Sequence, residues 1–376
     1  MRLTLDVSAV PPRPAGAGRY IVELAKRLPT TDDRVTLLTR RGDDARWRDW
    51  SPHAGISARV PQSRPARLAY EALRAGRTSL MRESDVWHSP HYTMPRGASS
   101  PVVVTIHDMT FFTNPEWHER RKVEFFRRAI RVAARDAHVL VTVSEMTARL
   151  LTELTSTTRP IVVAPLGVDH DRFSREGERS GSSRFDLATP FILFVGTLEP
   201  RKGIDVLLSA FSDVASLDPD VELWLVGQTG WGVDAVQEQM TRHPYQSRIR
   251  RLDYVDDAEL PQLYRSARVV AYPSRGEGFG LPVLEALACG APVVTTRDTV
   301  MAEVAADTAR LVPAGDSAAL ADELARALVL DDAAREHVAA NAVARAAQFT
   351  WERTIAQHRE AYALAQSSAS FSRDVE

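Results

Sequence analysis

The stretch RGEGFGLPVLEALACGAPVV, residues 275–294, decides the fold of this chain. It follows directly on the apolar run ARVVAYPS, residues 267–274, so the order reads strand, glycine-rich loop, helix, strand. Pro282 suits the first turn of a helix, where a missing N–H costs nothing, and Gly290 suits the position just past a last turn. The spacing therefore predicts a helix from near Gly280–Leu281 to near Gly290. Gly278 and Gly280 let the backbone come close to a ligand. The N–H groups of Phe279, Gly280 and Leu281 are left over at the helix start and make an anion site. Open α/β sheets bind ligands outside the carboxyl ends of their strands, which is where this loop falls.

Short Val/Ile/Leu runs recur between helical stretches along the whole chain. They are LTLDV near the start, VTLL at Val35, VVVTIHD from Val102, HVLVTVSE from His138, IVVAPLGV from Ile161, FILFVGTLE from Phe191, VELWLVG from Val221, ARVVAYPS and APVVTT. Near-continuous apolar strands alternating with helices imply buried parallel sheets, the doubly wound α/β class. A length of 376 residues exceeds one ordinary core, so two domains are expected. The polar stretch from Ser174 to Pro190 reads as the linker, which gives domains at 1–173 and 191–350. The chain closes with a helical pattern from Trp351 to about Ala365, and residues 366–376 read as a disordered tail.

Composition narrows the function classes. Hydrophobic residues at 44% and charged residues at 26% fit a globular enzyme rather than a disordered chain. The opening MRLTLDVSAVPPRP reads as a strand and loop, not a signal peptide, and no apolar run is long enough to span a bilayer. A lone Cys289, in an apolar run, excludes an intrachain disulfide and fits a small buried residue in a reducing, cytoplasmic protein. Residues 1–180 hold 29 Lys and Arg against 21 Asp and Glu, and the remainder 18 against 28. No basic stretch carries interleaved stacking aromatics, so nucleic acid is not indicated. From His118 to Ala137 the residues Val123, Phe126, Ile130, Ala133 and Ala137 form one apolar helix face, with arginines mainly elsewhere. Two readings are open: a helix packed on the sheet with a solvated cationic side, or peripheral contact with an anionic membrane.

The chemistry gathers at strand ends. Glu277 precedes the glycines, and Glu285 follows on the second helical turn, where a carboxylate can accept from paired ribose hydroxyls. GTLEPRKG, residues 196–203, ends the first strand after the linker and brings Arg201 and Lys202 to the same kind of edge. Lys202 is one of three lysines against 44 arginines, and a compact ammonium is not interchangeable with a guanidinium at a phosphate. In the first half, Gly16 and Gly18 allow a tight backbone ahead of an expected helix Tyr20–Leu28, which suits a phosphate or sugar group of the donor. His107 and Asp108 end the strand VVVTI, and a histidine there can meet a sugar hydroxyl or the acceptor. Ser144 and Glu145 occupy the equivalent edge after VLVTV.

In order and spacing, GAGRY, HDMTF, VTVSE, PLGVD, VGTLEPRKG, LVGQTGWG, PSRGEGFGLPVLEALACGAPVVTT and EVAADTARLVPAGD resemble glycosyltransferase family 4, over most of the chain. The resemblance implies the GT-B architecture, two Rossmann-like domains facing across a cleft, with the final helix, here 351–365, crossing back onto the acceptor-binding N-terminal domain. It implies a retaining, metal-independent transfer of a sugar from a nucleotide-sugar, with no cofactor. By that likeness Arg201 and Lys202 contact the donor diphosphate, Glu285 the ribose and Val255 the base. Glu277 and the backbone of Phe279–Leu281 would lie at the sugar and phosphate. Thr197 stands where many relatives carry Arg, which shifts phosphate neutralisation toward Arg201. The details look like bacterial mannosyltransferases of polysaccharide assembly, so GDP-mannose is the first expectation for the donor and a glycan or lipid-linked molecule for the acceptor. A sugar-nucleotide 2-epimerase, a phosphorylase and a non-catalytic sugar-nucleotide-binding subunit are the rival readings.

Overall fold

Burial on both faces turns the aliphatic runs into parallel strands: all five side chains of Val102–Ile106 and of Phe191–Val195 are buried. The computed structural model describes all residues except 15, 31–32, 178–184, 231, 253–254, 257 and 374–376. The chain divides into two compact units, Met1–Leu166 with Trp351–Glu376, and Gly167–Thr350. The second unit thus begins ahead of the stretch expected as a linker, and residues 178–184 of that stretch lie outside the described residues.

The first unit holds a seven-stranded, wholly parallel sheet. Its strands are β1 (Arg2–Asp6), β2 (Arg34–Arg40), β3 (Gly55–Val60), β4 (Val86–Ser89), β5 (Val102–Ile106), β6 (Val139–Thr142) and β7 (Ile161–Val163), in the order β3-β2-β1-β4-β5-β6-β7. The second unit holds β8 (Phe191–Val195), β9 (Glu222–Val226), β10 (Ile249–Leu252), β11 (Val269–Tyr272), β12 (Val293–Thr296) and β13 (Arg310–Val312). These also run parallel, in the order β10-β9-β8-β11-β12-β13. Every aliphatic run read as a strand is one. Four strands carry no such run: β3, β10 and β13 lie at sheet edges, and β4 is a buried VWHS.

Three helix boundaries differ from expectation. The helix expected at Tyr20–Leu28 spans Ala17–Arg27, so Gly16 is its N-cap and Gly18 lies in its first turn. The arginine-rich helix spans Arg120–Asp136, with Val123, Ile130, Ala133 and Ala134 buried, and Ala137 buried just beyond it. The last helix runs from Trp351 to Arg373 rather than stopping near Ala365, so most of the expected disordered tail is helical. The last three residues lie outside the described ones. Among the described residues no helix is long and apolar enough to cross a membrane.

The last helix belongs to the first unit through a buried hydrogen-bond chain whose proton order follows from one carbonyl. Burial lowers both His358, to about 4, and His88, so both rings are neutral near pH 7. His358 Nδ1 lies 2.7 Å from the Thr354 carbonyl, which can only accept, so Nδ1 carries the proton and Nε2 must accept. Tyr20 therefore donates to His358 Nε2 at 2.6 Å and accepts from Thr105 Oγ1 at 2.9 Å. Thr105 in turn accepts from His88 Nε2 at 2.8 Å, and His88 Nδ1 accepts from the Tyr362 hydroxyl at 2.9 Å. The VWHS strand is polar in the core because His88 is a link in this chain.

A histidine held below its unfolded value of about 6.5 binds its proton more weakly in the native state. Its stabilising effect is complete above about pH 6.5 and is lost as pH falls from there toward 4. The melting temperature of His358→Gln should therefore fall less than that of the wild-type chain between pH 7 and pH 5. Parallel curves from differential scanning calorimetry would refute the neutral relay.

Candidate active site

A backbone seam in the second unit builds the site. Gly203 has φ +68°, and a Cβ placed there would stand 2.2 Å from the Pro273 carbonyl oxygen. Only glycine lets the loop after β8 lie against the chain leaving β11. The Arg275 N–H donates to the Arg201 carbonyl at 2.8 Å and closes the seam. Arg275 also ties across to Asp205 at 2.6 Å. Arg201 and Lys202 are thereby set beside the loop that carries Glu277.

Glu277 is the centre of this cluster. Its Oε2 accepts from Arg201 Nη1 at 2.7 Å. Its Oε1 accepts from Lys202 Nζ, from Ser274 Oγ at 2.7 Å and from the Tyr272 hydroxyl at 3.1 Å. Lys202 Nζ also donates to Tyr272 at 2.7 Å, and Arg201 Nε meets Glu199 at 2.7 Å. Burial pushes the Glu277 carboxyl up, but Arg201 and Lys202 outweigh it and hold it down at about 2. Burial pulls the Lys202 ammonium down, opposed by Glu277 and reinforced by Arg201. Arg201 is raised overall: its burial is overcome by Glu277 and Glu199. The cations are thus already engaged by carboxylates.

The glycine-rich loop then turns into the helix Leu281–Ala288. Gly280, its N-cap, has φ +98°, a conformation that side chains rarely adopt. The helical ladder opens with Val283 and Leu284 donating to the Gly280 carbonyl, so the N–H groups of Gly280 and Leu281 precede it. The helix ends at Ala288, and Gly290 takes the left-handed conformation at φ +69°, as the spacing predicts. Gly278 is half-buried and Phe279 buried. Glu285 is buried too, and its Oε2 accepts from the Tyr264 hydroxyl at 2.9 Å, a partner outside the Glu277 cluster. Val255 is buried, while its neighbours Asp253 and Tyr254 lie outside the described residues. Cys289 is buried, and burial pushes its thiol up to about 12, which leaves it inert.

The other expected site residues lie in the first unit. His107 is buried, and its Nε2 donates to the Pro90 carbonyl at 2.8 Å. Burial lowers its basicity, so the neutral ring presents Nδ1 as its acceptor. His91, Tyr92 and Tyr20 pack around it with ring centroids 5.9, 5.6 and 5.0 Å away. Asp108 accepts from the Tyr92 hydroxyl at 2.9 Å. Ser144 caps the helix Glu145–Thr155 by accepting from the Thr147 N–H, and Glu145 is exposed. Tyr272, Ser274 and Glu199 went unread in the sequence. The first two stand two residues apart in AYPS, immediately ahead of the glycine loop, and that spacing was their signal. Among the described residues no three His, Cys, Asp or Glu side chains gather as a metal-ligand set.

Two family models match the chain, "Glycosyltransferase Family 4" over residues 14–172 and "Glycosyl transferases group 1" over residues 177–345. The chain is 32% identical over 370 residues to O-antigen chain mannosyltransferase B of Escherichia coli, covering 93% of this chain and 96% of that protein. Its fold is similar to that of sucrose-phosphate synthase from Thermosynechococcus elongatus, with TM-score 0.76 and 20% identity over 100% of this chain and 98% of the other. It is also similar to Anabaena HepE in complex with UDP and glucose, with TM-score 0.73 and 21% identity over 96% and 98%.

Replacing Glu277 by Gln would leave buried Lys202 and half-buried Arg201 facing an amide. Such a loss costs about 3–5 kcal/mol. The urea midpoint of Glu277→Gln should drop accordingly with an unchanged m-value, and a midpoint equal to wild type would contradict the buried cluster.

Proposed function

Because the chain belongs to glycosyltransferase family 4, we propose that it is a retaining, metal-independent hexosyltransferase that moves mannose from GDP-mannose to a glycan or lipid-linked acceptor. The observation that carries this reading is Glu277 held by Arg201 and Lys202 beside the start of the helix Leu281–Ala288. The paired cations and the leading N–H groups suit a diphosphate, whose negative charge grows as the glycosidic bond breaks. Preplaced donors stabilise that charge more in the transition state than in the ground state. They supply the neutralisation that a metal would otherwise bring, so no cofactor enters the reaction. Mannose is favoured by the similarity to O-antigen chain mannosyltransferase B.

Glu277 acts in this scheme as an orienting group. A carboxylate accepting from Arg201, Lys202, Ser274 and Tyr272 has its lone pairs committed, which disfavours it as a covalent nucleophile. Retention then proceeds by front-face attack, the departing diphosphate oxygen taking the acceptor proton. Glu285 serves the ribose, Val255 the base, and the backbone of Gly278, Phe279, Gly280 and Leu281 the phosphates and sugar. Gly16 and Gly18, in the first unit, serve a phosphate or sugar group of the donor, and His107 a sugar hydroxyl or the acceptor. The protein works in the cytoplasm, with the arginine-rich helix Arg120–Asp136 as a peripheral contact to anionic membrane.

In a thermal-shift panel GDP should stabilise the chain more than UDP, dTDP or ADP. Failure of every nucleoside diphosphate to shift the melt would overturn the transferase reading, and a preference for another base would overturn the donor. Lys202→Ala should lower turnover by at least about tenfold. Turnover should persist in excess EDTA, and its loss on chelation would sink metal independence.

A further inference from the structure

The first unit carries a cavity of about 280 Å³ that the diphosphate site does not account for. Ser8 follows β1, Arg40 closes β2, Gln62 follows β3, and His91 and Thr93 follow β4; all line it. The cavity therefore opens at the carboxyl ends of the strands. The sheet order there is β3-β2-β1-β4, so chain connections lead away from β1 in both directions. Doubly wound sheets bind ligands at such a reversal.

The lining selects the ligand's charge. Arg64 and Arg67 lie on the first turn of the helix Arg64–Leu73 and line the cavity with Arg40. Arg40 is engaged by Asp43 at 3.2 Å. Arg64 has no carboxylate within 4.0 Å among the described residues, and Arg67 meets Glu71 only at 4.0 Å. Burial and the neighbouring Asp6 push the Glu71 carboxyl up to about 7, so near neutral pH it offers Arg67 less than a full counter-charge. Ser63 gives the helix no side-chain cap and Pro65 has no N–H, which leaves the N–H groups of Arg64 and Ala66 for an anion. His91 Nδ1 is buried without a hydrogen-bond partner. Phe125 and Phe126 add an apolar wall suited to the carbon face of a sugar ring. His91 also packs against His107, with ring centroids 5.9 Å apart, so the cavity adjoins the residue assigned to the acceptor.

We propose that this cavity is a subsite for a phosphate group carried by the acceptor, bound by Arg64 and Arg67 with His91 Nδ1 as a further partner. It rests on the transferase reading and names the acceptor's chemical class. A phosphate monoester presents about two charges and three free oxygens and a phosphodiester about one charge and two, and either matches two guanidinium forks and a helix start better than a neutral hydroxyl does.

The test titrates the full chain, at low salt, with glucose 6-phosphate, with unphosphorylated glucose and with phosphatidylglycerol–phosphatidylcholine vesicles. Arg64→Ala, an exposed position that the fold does not need, and Arg64→Ala/Arg67→Ala are run beside the wild type. Glucose 6-phosphate or the vesicles should bind the wild type, and the variants should lose about tenfold or more of that affinity. Loss seen with glucose 6-phosphate assigns a sugar-borne phosphate, and loss seen with the vesicles alone assigns a lipid-borne one. Affinity unchanged in both variants, no binding of either probe by the wild type, or equal binding of plain glucose overturns the proposal. GDP titrated into the same samples separates the two readings. Retained GDP binding with phosphate affinity untouched by the substitutions sinks the cavity alone. No GDP binding counts against the transferase reading, and the phosphate titration still decides the cavity.

Discussion

The approach of Gly203 to Pro273 is the constraint on which the second unit's chemistry depends. A side chain at Gly203 would collide with a backbone carbonyl, and backbone cannot swing aside as a side-chain tip can. With that contact made, two loops from separate strands become one surface, and Arg201, Lys202 and Glu277 meet without needing long reach. The cluster is internally neutralised, which is how buried charge of this density is tolerated at all. An anion placed there would have to compete with Glu277 and Glu199 for the same cations. The cluster is not a bare positive pocket, because both cations already have carboxylate partners.

Much of this was legible in the sequence, because the parallel strands are buried on both faces and so write themselves as aliphatic runs. The elements that escaped did so for physical reasons. β3, β10 and β13 are edge strands with mixed exposure, so their composition is mixed. β4 is central, but its His88 serves a buried polar chain, and a histidine in a core gives no hydrophobic signal. The helix from Leu281 was readable to within a residue or two because proline and glycine act locally at its ends. The final helix outran its expected end because Ala is the best helix former, Gln and Ser in QSSAS are adequate ones, and no glycine or proline stops them.

At the site, the sequence supplied the charged residues but not their pairing. The sequence places Glu277 near a sugar and Arg201 and Lys202 near phosphates; it does not show that Glu277 binds both cations. Periodicity reports which face a residue takes, and it is silent about partners that lie some 75 positions apart. Ser144 shows the opposite limit: a strand-end serine looks chemical, yet its hydroxyl is spent on a helix N-terminus.

The chain of hydrogen bonds from Thr354 to Tyr362 has a consequence for synthesis. His358 and Tyr362 come from the last helix, while Tyr20, His88 and Thr105 come from the opening third of the polypeptide. The second unit is contiguous, so it can close as soon as Thr350 has left the ribosome. The first unit must wait, with Tyr20 and His88 lacking their partners, until His358 and Tyr362 have been made. Of the two units, the one begun first is therefore the one finished last.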